Sequence, residues 1–113
     1  MATFSREPLS GSTSGTPIAV TSTDSAGAVT VHTCDTNKWE IYLFAHNIST
    51  AATDLYVETG STVGPTIQSI AAKAGKVPVL PGSFLTGSMV VKAYCSTVST
   101  SALFVDGWAN KIV

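Results

Sequence analysis

His32, Cys34 and Asp35 stand together in VTVHTCD (Val29 to Asp35), and His46 ends the next apolar run. On a strand, side chains two residues apart leave the same face. His32 and Cys34 would then share a face, and with His46 they would supply the nitrogen and sulfur donors that Zn²⁺ takes. Two strands give only the opportunity for proximity, and the plainer expectation is that both histidines are surface residues at strand ends. Nucleophilic catalysis needs a Ser or Cys beside a His and a carboxylate. The chain has no Gly-x-Ser-x-Gly elbow, and GSTSG (Gly11 to Gly15) lies in a polar, aperiodic segment rather than on a strand–helix turn. Asp54 and Glu58 share one face of one run, two alternations apart, and read as a solvated face rather than as an acid–base pair. No glycine-rich phosphate loop followed by Lys occurs. The sequence therefore predicts no enzyme, no cofactor and no metal.

Aromatic residues offer a different chemistry. Trp39, Tyr42, Phe44, Tyr56, Tyr94, Phe104 and Trp108 would suit a carbohydrate-stacking face, or a core and a subunit contact. Aromatic groups are enriched at protein interfaces because they combine large apolar area with a polar handle. Nucleic acid is disfavoured as a partner. Six Lys and Arg face seven Asp and Glu, and Arg6, Lys38, Lys73, Lys76, Lys92 and Lys111 are scattered, whereas a phosphate-binding surface needs several cations on one face.

The elements that must position these residues are short and β-prone. The 113 residues suffice for one domain, charged residues are only 12%, and Ser and Thr fill about a quarter of the chain. Net charge of −1 and 44% hydrophobic content exclude disorder. The first seventeen residues lack periodicity and read as an extended arm with two apolar anchors, Phe4 and Leu9; residues 18–113 read as the folded domain. Runs are expected at IAV (Ile18 to Val20), AVTVHT (Ala28 to Thr33), WEIYLFAHN (Trp39 to Asn47), DLYVET (Asp54 to Thr59), TIQSI (Thr66 to Ile70), MVVKAYCS (Met89 to Ser96) and SALFVDGWANKIV (Ser101 to Val113).

WEIYLFAHN is apolar on both faces, with Trp39, Ile41, Leu43 and Ala45 on one and Tyr42 and Phe44 on the other. Such a strand is either central or covered on its second side by a partner. DLYVET alternates cleanly, Leu55 and Val57 inward. A turn is expected at Pro81-Gly82, a bulge at Asp106-Gly107, and IQSIAAKAGK (Ile67 to Lys76) is the single short helical candidate. The pattern predicts an all-β fold, an antiparallel β-sandwich or small β-barrel, with jelly-roll and immunoglobulin-like strand orders both open.

The start carries no secretory signal and no run is long enough for a membrane helix, so folding in a reducing cytoplasm is expected, with Cys34 and Cys95 as free, buried thiols. Asn47-Ile48-Ser49 is then a chance sequon.

Three stretches together resemble a family. FSREPLSGSTSGTPI (Phe4 to Ile18), IYLFAHNISTAATDLYVETG (Ile41 to Gly60), and VPVLPGSFLTGSMVVKAY (Val77 to Tyr94) with VDGWANKIV (Val105 to Val113) are similar to small virion structural proteins of tailed bacteriophages. In that group the middle stretch is a strand–Asn-x-Ser/Thr–strand hairpin. The resemblance implies a capsid decoration (cement) protein: a small β domain, often a homotrimer, made in the host cytoplasm and docked on the capsid exterior, where it holds neighbouring capsomers together. Its partners would be the major capsid protein and further copies of itself. Phe4, Leu9, Tyr42, Phe44 and Trp108 are the candidate subunit or capsid contacts. A head fibre, neck or tail component, or a carbohydrate- or receptor-binding β domain, is the alternative.

Overall fold

A computed structural model describes residues 3–60, 64–96 and 103–113. Its strands are β1 (Phe4–Pro8), β2 (Ile18–Ala19), β3 (Val29–Thr33), β4 (Lys38–Asn47), β5 (Thr53–Thr59), β6 (Thr66–Ile70), β7 (Val77–Leu85), β8 (Val90–Cys95) and β9 (Leu103–Ile112). All pairings are antiparallel. The front sheet runs β1-β9-β4-β7, with β2 also on the edge of β9, and the back sheet runs β3-β8-β5-β6. From β2 onward the chain changes sheet at every connection except β5 to β6. With β1 and β2 counted as one interrupted strand, this is the eight-strand, double-Greek-key path of a jelly roll. The architecture is a sandwich, not a closed barrel.

That path corrects the reading of Ile41–Gly60 as a hairpin. β4 lies in the front sheet and β5 in the back sheet, so the polar segment between them is a crossover. Alternation nevertheless placed the core correctly. Trp39, Ile41, Leu43 and Ala45 of β4 face Leu55 and Val57 of β5 and Val91, Ala93 and Cys95 of β8 across one buried cluster. Cys34 and Cys95 are both buried and no disulfide joins them; the Cys95 thiol donates to the Ser22 carbonyl at 3.4 Å.

Four local expectations are corrected. No helix forms among the described residues; Ile67–Ile70 belongs to β6, and a turn follows. β7 continues through Pro81-Gly82, where Gly82 is an extra residue between the Pro81–Tyr42 and Ser83–Ile41 pairs, and Val79 is a second extra residue. Prolines at 78 and 81 are accepted because β7 is an edge strand. At Asp106-Gly107, where a bulge was expected, β9 keeps unbroken register with β4 from Leu103 to Ile112. In β3 the register shifts between Thr30 and His32, so that Val31 and His32 are both buried instead of alternating.

The expected boundary after residue 17 does not separate arm from domain. β1 pairs residue by residue with β9, from Phe4–Ile112 to Pro8–Trp108. Leu9 is 1% exposed within the core, so it is no contact for another chain in this fold. The following segment is stitched to β3: Gly11 N–H donates to the Val31 carbonyl at 2.9 Å, Ser10 N–H to His32 Nδ1 at 3.0 Å, and Thr33 N–H to Ser10 Oγ at 2.7 Å.

His32, expected at the surface, is thereby an acceptor in a buried place. Desolvation holds its pKa below the ordinary value of 6.5, against the opposing fields of Glu7 and Asp35. A depressed histidine pKa adds stability above the unfolded value, and this is lost as pH falls through the folded one. The melting temperature is therefore expected to drop by several degrees as pH falls from 7.5 to 5.5. His32→Asn, which keeps an acceptor for Ser10 but does not titrate, should flatten that slope in calorimetric scans.

Candidate contact surface on the front sheet

β4 and β9 are the central strands of the front sheet, and their outward residues form rows fixed by register. One row runs Pro81–Tyr42–Trp108–Pro8, the next Phe84–Glu40–Asn110–Arg6, and on the other side Pro78–Phe44–Asp106 and His46–Phe104–Ala19. Tyr42 and Trp108 stack with centroids 5.1 Å apart, Phe44 tilts against Trp108 at 5.7 Å, and His46 stacks on Phe104 at 5.2 Å. The Arg6 guanidinium lies 5.0 Å from the Trp108 ring centre, a cation–π contact that β1 delivers by pairing with β9. Gly82, the extra residue of β7, leaves room for the Tyr42 ring: a Cβ there would come 3.0 Å from its Cζ. The sheet thus carries an aromatic stripe, flanked by Phe4 at 64% and Phe84 at 58% exposure.

Beside the stripe, Lys76 Nζ meets Asp106 Oδ2 at 2.9 Å, bordering a groove of about 360 Å³ lined by Gly15, Phe44, Gly107 and Trp108. Asp106 Oδ1, Trp108 Nε1 and His46 Nδ1 are buried without hydrogen-bond partners. These orphan atoms lie under the same face, which leaves that face incompletely satisfied as it stands.

The residues considered for zinc or catalysis are distributed elsewhere. His32 points into the sandwich from the back sheet and packs edge-on against Trp39 at 4.7 Å, while His46 lies outside the front sheet. The structure does not bring the two histidines together. Burial and the field of Asp35 raise the Cys34 thiol pKa, away from thiolate chemistry. Asp35 is instead a hub that spacing alone did not reveal. It accepts Asn37 N–H at 2.9 Å and Trp39 Nε1–H at 3.0 Å, and it pairs with Lys111 Nζ at 3.1 Å. The Asn37 amide first, then Lys111 and Trp39, hold its carboxyl well below the usual range. The signal available in the sequence was Asp-x-Asn, an Asx-turn pattern.

On the back sheet, Tyr56 and Tyr94 stack at 4.8 Å and 6°, next to Ile67, which is 57% exposed. Desolvation, then the fields of Glu58 and Tyr56, raise the Tyr94 phenol pKa. Asp54 accepts Ser69 Oγ–H at 2.9 Å, and Glu58 accepts Ser25 Oγ–H at 2.6 Å. The two carboxylates therefore have separate partners, and Glu58 is buried rather than solvated.

The fold and this surface define a jelly-roll β-sandwich with an aromatic outer sheet. Compared with protein-family models, curated proteins and solved structures, the chain matches none.

Proposed function

We propose that the chain is a non-catalytic virion subunit, a phage capsid decoration protein that self-associates as a homotrimer and binds the major capsid protein on the head exterior. The observation that carries this reading is the front-sheet stripe of Tyr42, Phe44 and Trp108, extended by the exposed rings of Phe4 and Phe84. Contiguous exposed apolar surface on a compact domain marks an interaction site. Tyr, Trp and Arg are the residues that dominate binding energy at protein contacts, and here Tyr42, Trp108 and Arg6 form one stacked group. Jelly rolls recur among viral capsid domains, although the fold alone does not fix a function. Cyclic symmetry would let several weak contacts act together on a symmetric shell.

Phe84 tests the proposal well because its side chain is exposed, so a charge there leaves the core intact. Phe84→Glu is expected to shift the protein from trimer to monomer in sedimentation or light scattering, and to weaken its retention on expanded heads at least tenfold. A wild-type protein that stays monomeric at high concentration and ignores heads would overturn the assignment.

The alternative of a carbohydrate- or receptor-binding domain draws on the Tyr56–Tyr94 stack. Each ring already spends one face on the other, which leaves less stacking area for a sugar. Glycan binding abolished by Tyr56→Ala would favour that alternative.

A further inference from the structure

The back sheet holds a carboxylate that the fold buries and leaves without a cation. By alternation Glu58 belongs with Tyr56 on the outside of β5, yet it is only 3% exposed. Its cover is the turn between β2 and β3. Asp24 Oδ1 accepts Gly27 N–H at 2.7 Å, Ser22 Oγ accepts Asp24 N–H at 3.3 Å, and Ala28 N–H returns to the Ser25 carbonyl at 3.3 Å. That ordered turn sets the Ser25 hydroxyl on Glu58 Oε2, and among the described residues Glu58 has no other hydrogen bond. It takes part in neither ion pair formed there, Lys76–Asp106 or Lys111–Asp35. Lys92 sits directly across β8 in register but stays exposed and makes no ion pair with it.

A cavity of about 300 Å³ opens beside this carboxylate, lined also by Ser25, Gly60, Ser88, Met89, Val90 and Lys92. Met89 packs closely on Gly60: a Cβ there would fall 2.3 Å from its Sδ. Burying a carboxylate is unfavourable unless a cation and hydrogen bonds accompany it. One carboxylate and the hydroxyls of Ser25 and Ser88 are too few side-chain oxygens for Ca²⁺, which takes six to eight. They do suit an organic cation whose alkyl stem lies on Met89 and Val90.

We propose that this pocket receives an arginine side chain of a partner protein, its guanidinium on Glu58 and its stem against Met89. Arginine fits better than lysine because its guanidinium is more weakly hydrated and presents several donors in a plane to one carboxylate. Lys92 is the intramolecular competitor at the rim. The pocket lies on the opposite sheet from the aromatic stripe, so its test stands apart from that of self-association.

The probe is N-acetyl-arginine amide, titrated into the full chain and followed by amide chemical shifts at Ser25, Gly60 and Met89. The lysine amide and the neutral citrulline amide run in parallel. Saturable shifts with arginine are expected at a Kd on the order of a millimolar, as a ligand of this size allows. Glu58→Gln should weaken binding at least tenfold while amides on the front sheet keep their positions. Ser25→Ala should weaken it by less, and Lys92→Met should strengthen it several-fold. No shift in either wild type or Lys92→Met, or equal shifts from citrulline or lysine, would overturn the proposal.

Discussion

Gly107→Ala is expected to abolish stable folding, or to leave a protein that melts more than about 15 °C lower. Gly107 sits in β9 opposite Leu43, in the middle of the front sheet. A Cβ on it would lie 2.0 Å from the Tyr42 carbonyl oxygen and 3.3 Å from the Leu43 Cα, and its φ is +146°. Those obstacles are backbone atoms of β4, which is held on its far side by β7, so neither strand can yield without breaking the ladder. The cost is about 4 kcal/mol or more, in the tail of single-substitution effects. Gly15→Ala is the matched control. Gly15 has a φ of +82° but nothing within 4 Å of the added carbon, so only backbone strain of roughly 1–2 kcal/mol applies. Urea titration of both variants separates the cases; similar midpoints would show that close approach at Gly107 does not matter.

Gly107 also shows which parts of this fold the sequence could disclose. Period-2 alternation revealed the inward set of β4 and β5, because burying one face of a strand dictates side-chain type at every second position. It did not reveal which sheet each strand joins. The Ile48–Ala52 segment is of a length that closes a hairpin or crosses a sandwich, and nothing in its composition separates the two. β1 was missed for a related reason. FSREP joins the edge of β9 through main-chain bonds while its side chains stay mostly exposed, so the pattern carries no trace of pairing. Proline and glycine in β7 read as a turn because the two extra residues that absorb them depend on the partner strand, not on local propensity.

The candidate contact surface was half legible. Tyr42 and Phe44 stood out because β4 is apolar on both faces, and Trp108 falls beside both of them as a candidate contact. Arg6 escaped notice because its place over Trp108 exists only once β1 has paired. Phe84 escaped because it follows a presumed turn. Leu9 was read as an anchor for a neighbour, but the chain's own core takes it. Glu58 failed in the opposite sense. Alternation put it outside correctly, and a turn distant in sequence then covered it.

Asn47 is where the second large effect is expected, and it recasts the Asn-Ile-Ser motif. Asn47 closes the inward set of β4 and is 1% exposed. Its Nδ2 donates to the Ala51 carbonyl at 2.9 Å and the Ala71 carbonyl at 3.2 Å, and its Oδ1 accepts Ser49 N–H at 2.9 Å. Its own N–H reaches the Ala74 carbonyl at 3.0 Å, and Lys73 N–H meets the Ser49 carbonyl at 2.9 Å. One side chain thus clasps two crossovers, β4 to β5 and β6 to β7, that carry the chain between the sheets at the same end. With Nδ2 buried and committed to two acceptors, the sequon is not available for glycosylation in the folded protein. Asn47→Ala removes three hydrogen bonds and leaves their partners in place, at about 1–3 kcal/mol for each group left buried and unpaired. A net loss of about 3–5 kcal/mol is expected in urea titration. Asn47→Asp keeps the acceptor for Ser49 but turns a carboxylate oxygen toward the Ala51 and Ala71 carbonyls, so it should destabilise at least as much. Amide exchange supplies the local readout: the Ser49 and Lys73 protons should lose protection in both variants, while those at the far end of β4, near Trp39, fall only with global stability. If the alanine variant lost less than about 1 kcal/mol, water would be replacing the clasp, and the two crossovers would be independent of each other.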